Sequence, residues 1–182
     1  EPLTDAITWA KGNRYTFRLR PSNSMQAAML AEEAAKLPAK KWASVAPNYE
    51  YGQSAVAAFK KALSAKRPDI EWVSEQWPPQ GKIDAGAVVQ ALAAAQPEAI
   101  LNVTFGPDLV KFVREGTTRG LFKDRAVVSF LTGEGETFDA LIASDGAELK
   151  LLFKGRSVSG KSGLGVTKKG ASLLPNIPVS FF

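Results

Sequence analysis

The stretch KWASVAPNYEYGQSAVAAFKKAL, Lys41 to Leu63, decides the fold. It opens as a short apolar run, breaks at Pro47, and continues as an alanine-rich segment in which Val56, Phe59 and Leu63 recur at helical spacing. A buried strand that hands over directly to an amphipathic helix is half of a βαβ unit. At the hand-over stand Tyr49, Tyr51 and Gly52, where short polar turn residues are the usual choice. Either the two rings close the edge of a core, or they face a ligand.

The same alternation extends in both directions. Upstream, Ser22 and Ser24 are candidate N-caps for the helical run MQAAMLAEEAAKL, which Pro38 ends. Downstream, Pro68 stops the second helix, and DIEWVSEQW (69–77) alternates as a strand until Pro78, Pro79 and Gly81 break it. Asp84 is placed to cap a helix over 85–96, and AILNVTF (99–105) follows as a second apolar strand. PDLVKFVREG (107–116) has Pro at a first-turn position with Asp108 beside it, a sound helix start. AVVSFL (126–131) is a third apolar run. Apolar strands separated by helices of ten or more residues predict an α/β fold, a parallel sheet with helices on both faces. Near residue 135 the texture changes to Gly, Ser and Lys, with at most one more strand, at 148–153. The expected division is an α/β lobe over 1–136 and an irregular basic extension over 137–182.

Composition excludes several chemistries. The chain has neither Cys nor His, so disulfides, thiolate nucleophiles, Cys-based zinc sites and Ser-His-Asp or Cys-His hydrolases are ruled out. No visible constellation of carboxylate, Lys or Tyr replaces them, and neither a catalytic role, a metal nor a cofactor is expected. Residues 1–148 hold 17 Lys/Arg and 18 Asp/Glu, whereas residues 149–182 hold six Lys/Arg and no acid. The net charge of +5 therefore describes a tail, and a nucleic-acid partner is not expected from it. No apolar run is long enough to span a membrane, and EPLTDAITWA has neither the basic nor the apolar region of a signal peptide.

In an open parallel sheet, ligands bind beyond the carboxyl ends of the strands. Three strands here end in PNYEYG, TFGPD and LTGEGE, which offer rings, glycines for close backbone approach, and polar groups. Parallel neighbours would bring these loops to one edge, as a recognition surface for a small molecule.

The order YTFRLRPSNSMQAAMLAEEAAKL, KWASVAPNYEYGQSAVAAFKKAL, AILNVTFGPDLVKFVREG resembles the periplasmic solute-binding proteins of ABC importers, branched-chain amino acid type. The resemblance covers residues 1–134, about a third of such a protein. It implies a type I binding-protein lobe, closure on a solute by hinge motion, and docking to a membrane permease. By position, Tyr51 resembles the tyrosine that packs on the ligand, and Phe105 and Gly106 resemble an aromatic-glycine pair that borders it. Thr132, Gly133 and Glu134 resemble a loop whose carboxylate can hold a ligand amino group. The resemblance further implies a periplasmic or extracellular location and a branched-chain amino acid or small aromatic acid as solute. Asp84-Ala85 stands where the family has Asp-Phe, and the family's first lobe has no counterpart in these residues.

One motif points elsewhere. GRSVSGKS, Gly155 to Ser162, fits the phosphate-loop pattern G-x-x-x-x-G-K-[ST], and 137–174 is loosely similar to the nucleotide loop of the HPr kinase family. Against it, the glycine-rich GLGVTKKG makes a poor following helix, and no acid lies downstream to hold Mg²⁺. Nucleotide binding through Lys161, or service as a bare interaction module, are the alternatives to solute binding.

Overall fold

The computed structural model describes residues 3–131 and the backbone of two later strands, 148–153 and 156–161. Four strands, β1 (Lys41–Val45), β2 (Glu71–Gln76), β3 (Ala99–Asn102) and β4 (Ala126–Ser129), form a sheet in the order β2-β1-β3-β4. Every pairing in it is parallel. Helices α1 (Asn23–Ala34), α2 (Glu50–Lys66), α3 (Ala85–Ala95) and α4 (Gly106–Thr118) alternate with the strands, as the apolar periodicity predicts.

Residue alternation in the central strands feeds two cores. Trp42 and Leu101 pack with Phe59, Leu63, Ala27 and Ala31 of α2 and α1. Val45 and Ile100 pack on the opposite face with Val89, Leu92, Leu109 and Phe112 of α3 and α4. Each large side chain so buried contributes about 1.5–3 kcal/mol, which is why β1 and β3 read as continuous apolar runs. The edge strand β2 is guarded instead by exposed Glu71 and Glu75, the latter paired with Lys60, whose ammonium lies 4.8 Å over the Trp72 ring.

Helix α1 starts at Ser22, whose hydroxyl accepts from Met25 N–H at 3.3 Å. It ends at Ala34, four residues before Pro38. The segment before it is tied back at both ends. Leu3 sits in the core, and its carbonyl accepts from Asn23 N–H at 2.8 Å. Arg18 donates to the Thr4 carbonyl and, at 2.9 Å, to Thr8 Oγ1. Asp5 accepts from the Ser24 hydroxyl. Burial disfavours its charge, but hydrogen bonds from Ser22 and Ser24 and the charge of Arg18 outweigh that and hold its carboxyl below the usual range.

Beyond β4 the structure describes two further strands. Strand β5 (Glu148–Phe153) falls where the sequence places one, and it pairs antiparallel with β6 (Arg156–Lys161), a strand the sequence does not single out. The ladder also counts against the phosphate-loop alternative. A phosphate cradle needs successive N–H groups curled around an anion at a helix N-terminus. Six of the eight motif residues lie instead in an extended ladder, with Lys161 opposite Glu148. Among the described residues no helix is long and apolar enough to cross a membrane.

Candidate functional site

The strand order creates a switch point. From β1 the chain turns through α2 to β2 on one side, and from β3 it turns through α4 to β4 on the other. Adjacent β1 and β3 thus send their following loops apart, which leaves a crevice at their carboxyl ends.

Both helices that leave this crevice begin in the same unusual way. Tyr49 is the N-cap of α2 and Phe105 the N-cap of α4, each in extended backbone conformation and neither with a side-chain cap bond. Ser, Thr, Asp or Asn is strongly preferred at such positions. By contrast, α1 is capped by Ser22, and α3 is capped by Asp84, which accepts from Ala87 N–H at 3.0 Å.

The aromatic caps join a chain of rings across the crevice. Tyr49 and Tyr51 have centroids 5.8 Å apart, and Tyr51 meets Phe105 edge-on at 6.0 Å. Tyr51, the ring singled out by resemblance, is 8% exposed and packs into the α1–α2 core, whereas Tyr49 is 37% exposed. Phe105 is half-buried and packs against the same core. Partial burial also holds the Tyr49 phenol above its ordinary pKa, and its hydroxyl can donate or accept a hydrogen bond.

Packing below the rings fixes their backbone. Gly52 passes so close to the loop that a Cβ there would lie 2.1 Å from the Pro47 carbonyl oxygen. Tyr49 N–H donates to that same carbonyl at 2.8 Å, and Asn48 N–H donates to Pro78 at 2.9 Å. On the β3 side, buried Asn102 accepts from Thr104 Oγ1 at 2.6 Å and donates to Ser129 Oγ at 2.8 Å, locking the turn before Phe105. Gly106 takes the left-handed conformation (φ +55°) with nothing within 4 Å of its missing side chain. Its backbone is therefore approachable at the start of α4, whose dipole favours an anion. Asp108, nearly buried in that first turn, accepts from Gly81 N–H at 2.6 Å and is spent on holding the β2–α3 loop.

The structure thus brings Tyr51, Phe105 and Gly106 together, and adds Tyr49 as the more exposed ring. Thr132, Gly133 and Glu134 lie outside the described residues. Among the described residues no group of acids could hold a metal ion.

Residues 3–151 match the family described as periplasmic binding protein. The chain belongs to that family. No curated protein matches the sequence of this periplasmic binding protein. Among solved structures, an amino acid ABC transporter substrate-binding protein from Pseudomonas fluorescens Pf-5 is 20% identical, with a TM-score of 0.69. The alignment covers 82% of this chain and 40% of that one. A branched-chain amino acid ABC transporter periplasmic ligand-binding protein from Burkholderia xenovorans LB400 is 17% identical over 82% and 40% of the two chains, TM-score 0.68. A solute-binding protein of an ABC transporter from Rhodopseudomonas palustris BisB5, in complex with 3,4-dihydroxybenzoic acid, is 25% identical over 80% and 39%, TM-score 0.64. This binding protein therefore spans about 40% of the length of these structures, and shares with them the four-stranded parallel lobe described above.

Proposed function

We propose that this chain is a solute-binding lobe of an extracytoplasmic, non-enzymatic component of an ABC-type importer. The observation that carries the reading is the pair of aromatic N-caps, Tyr49 and Phe105, at the two helix starts that follow β1 and β3 at the switch point. Two helix starts that give up a polar cap for a ring fit a site where rings meet a ligand, since local rules are broken chiefly where function requires it. The solute is a small acid with an apolar or aromatic body. The rings flank that body, and the open start of α4 at Gly106 suits its carboxylate. Branched-chain amino acids and small aromatic acids both meet this description, and Thr132, Gly133 and Glu134, next in the chain after β4, would add the polar contacts that separate them.

The arm before α1 supports a two-lobed protein. Trp9, Phe17 and Leu19 are 77%, 84% and 91% exposed, large apolar side chains that a second body would take out of water. We assign that body to a companion lobe, with closure over the solute and docking to the permease as the working cycle in the periplasm or outside the cell. The division at residue 136, between this lobe and a basic extension of separate role, belongs to the same proposal.

A thermal-shift titration with benzoate, 4-hydroxybenzoate, leucine and Mg-ATP tests the reading. At a hundredfold excess over Kd a native-state ligand adds about 2.7 kcal/mol of stability, so a true solute gives a shift of several degrees. A shift with one acid class and none with Mg-ATP is expected. A shift with Mg-ATP alone would restore the nucleotide alternative, and no shift with any acid would overturn binding by this lobe.

A further inference from the structure

Asn23 is fully buried at the start of α1, yet it is a poor choice for stability alone. Its side-chain amide donates to the main-chain carbonyl of Tyr51, 28 residues away, at a long 3.3 Å. Its Oδ1 is buried with no hydrogen-bond donor among the described residues. A buried amide that makes one long bond and leaves an acceptor unmet costs the fold more than an apolar residue of similar size would. Ala27 and Ala31, on the same helix and equally buried, show what packing by itself selects there. The single group Asn23 engages with its side chain belongs to the tyrosine that links Tyr49 to Phe105 across the crevice.

We propose that Asn23 is a positioning residue for the solute site: it fixes the first turn of α2, and with it the Tyr51 ring that backs the Tyr49 and Phe105 faces. Asn23 also receives the entering chain, because its own N–H donates to the Leu3 carbonyl. One residue therefore joins the arm, α1 and the aromatic rim. A small displacement of Tyr51 passes to both neighbouring rings, since each packs against it. The inference rests on the solute-binding reading for its functional consequence, but its structural half stands independently.

The test uses the full chain carrying ring-labelled tyrosine, in which Tyr15, Tyr49 and Tyr51 report separately by NMR. Asn23→Ala and Asn23→Asp both remove the donating amide, the latter at nearly unchanged shape. Both are expected to move or broaden the Tyr51 signals and, through it, those of Tyr49, while Tyr15 on the arm stays put. Gln26→Ala, which removes another buried amide one turn along α1, controls for loosened packing and is expected to leave Tyr51 in place. The same samples titrated with benzoate and leucine are expected to show affinity lower by about tenfold in the Asn23 variants, equivalent to about 1.4 kcal/mol. Tyr51 signals unchanged in Asn23→Asp, or moved equally by Gln26→Ala, would overturn the positioning role. A wild-type chain that responds to neither solute would overturn the solute reading instead, and the ring signals distinguish the two failures.

Discussion

Helices α2 and α3 both leave the carboxyl edge of the same sheet, yet they begin in opposite ways. Helix α3 takes Asp84, whose carboxylate satisfies the Ala87 N–H. Helix α2 takes Tyr49, which satisfies no N–H with its side chain, and α4 repeats the choice with Phe105. The two kinds of start sort by place. The capped one follows the edge strand β2, and the aromatic ones follow β1 and β3 at the switch point. The proposed site explains this sorting: a cap that serves stability stands at the edge, and rings that would serve a ligand stand at the centre.

The largest effect is expected where the aromatic start is forced closest to its loop. Gly52→Ala places a methyl 2.1 Å from the Pro47 carbonyl oxygen, a backbone atom that no rotamer change can move aside. A loss of about 3 kcal/mol is expected, at the upper end of overpacking costs, with a shifted α2 start and lost solute binding. Gly116→Ala meets Phe122 ring atoms at 2.5 Å, on the face away from the crevice. A ring can turn, so its cost is expected to stay nearer 1 kcal/mol with solute affinity unchanged. Urea denaturation of the two variants, followed by calorimetric titration, checks both statements. Equal losses of stability, or weakened binding in Gly116→Ala, would break the distinction between edge and centre.

The capped start comes next. Asp84→Ala removes the only side-chain cap of α3 and is expected to cost about 1 kcal/mol. Solute affinity is expected to hold, because α3 follows the edge strand. A fall in melting temperature of a few degrees with an unchanged binding isotherm is the result to look for.

Much of this contrast was legible in the sequence. The apolar runs around Trp42, Ile100 and Val127 name the strands because each is buried on both faces, and that demand is local enough to read from single residues. Ser22 and Asp84 were legible as caps for the same reason. The site was legible in outline, through rings and glycines at strand ends. Which ring is the more exposed was not, because the burial of Tyr51 depends on α1 folding against α2 and on Asn23 reaching its carbonyl from 28 residues away. The outward-facing Phe17 and Leu19 were equally hidden, since a residue pattern does not say which face of a segment lacks a partner. The letters of Gly155–Ser162 were already weak evidence in the sequence, with no following helix and no downstream acid. A phosphate loop is a backbone shape, and the described residues Arg156–Lys161 pair in an extended ladder with Glu148–Phe153.

The smallest expected change in stability carries the most information. Tyr49→Ser supplies the cap that α2 lacks, because a serine oxygen at this position can accept from the N–H of Tyr51 or Gly52. The gain, up to about 1 kcal/mol, is offset by the lost ring contact with Tyr51, worth roughly as much. Net stability is therefore expected to change by less than about 1 kcal/mol in either direction. Solute affinity, in contrast, is expected to fall about tenfold, because the ring leaves the rim of the crevice. If affinity survives while the helix is better capped, Tyr49 was only a poor N-cap, and the argument from broken capping rules fails at α2. If affinity collapses at constant stability, the chain has kept an aromatic where a serine would serve the helix equally well, and a ligand is the remaining reason for it.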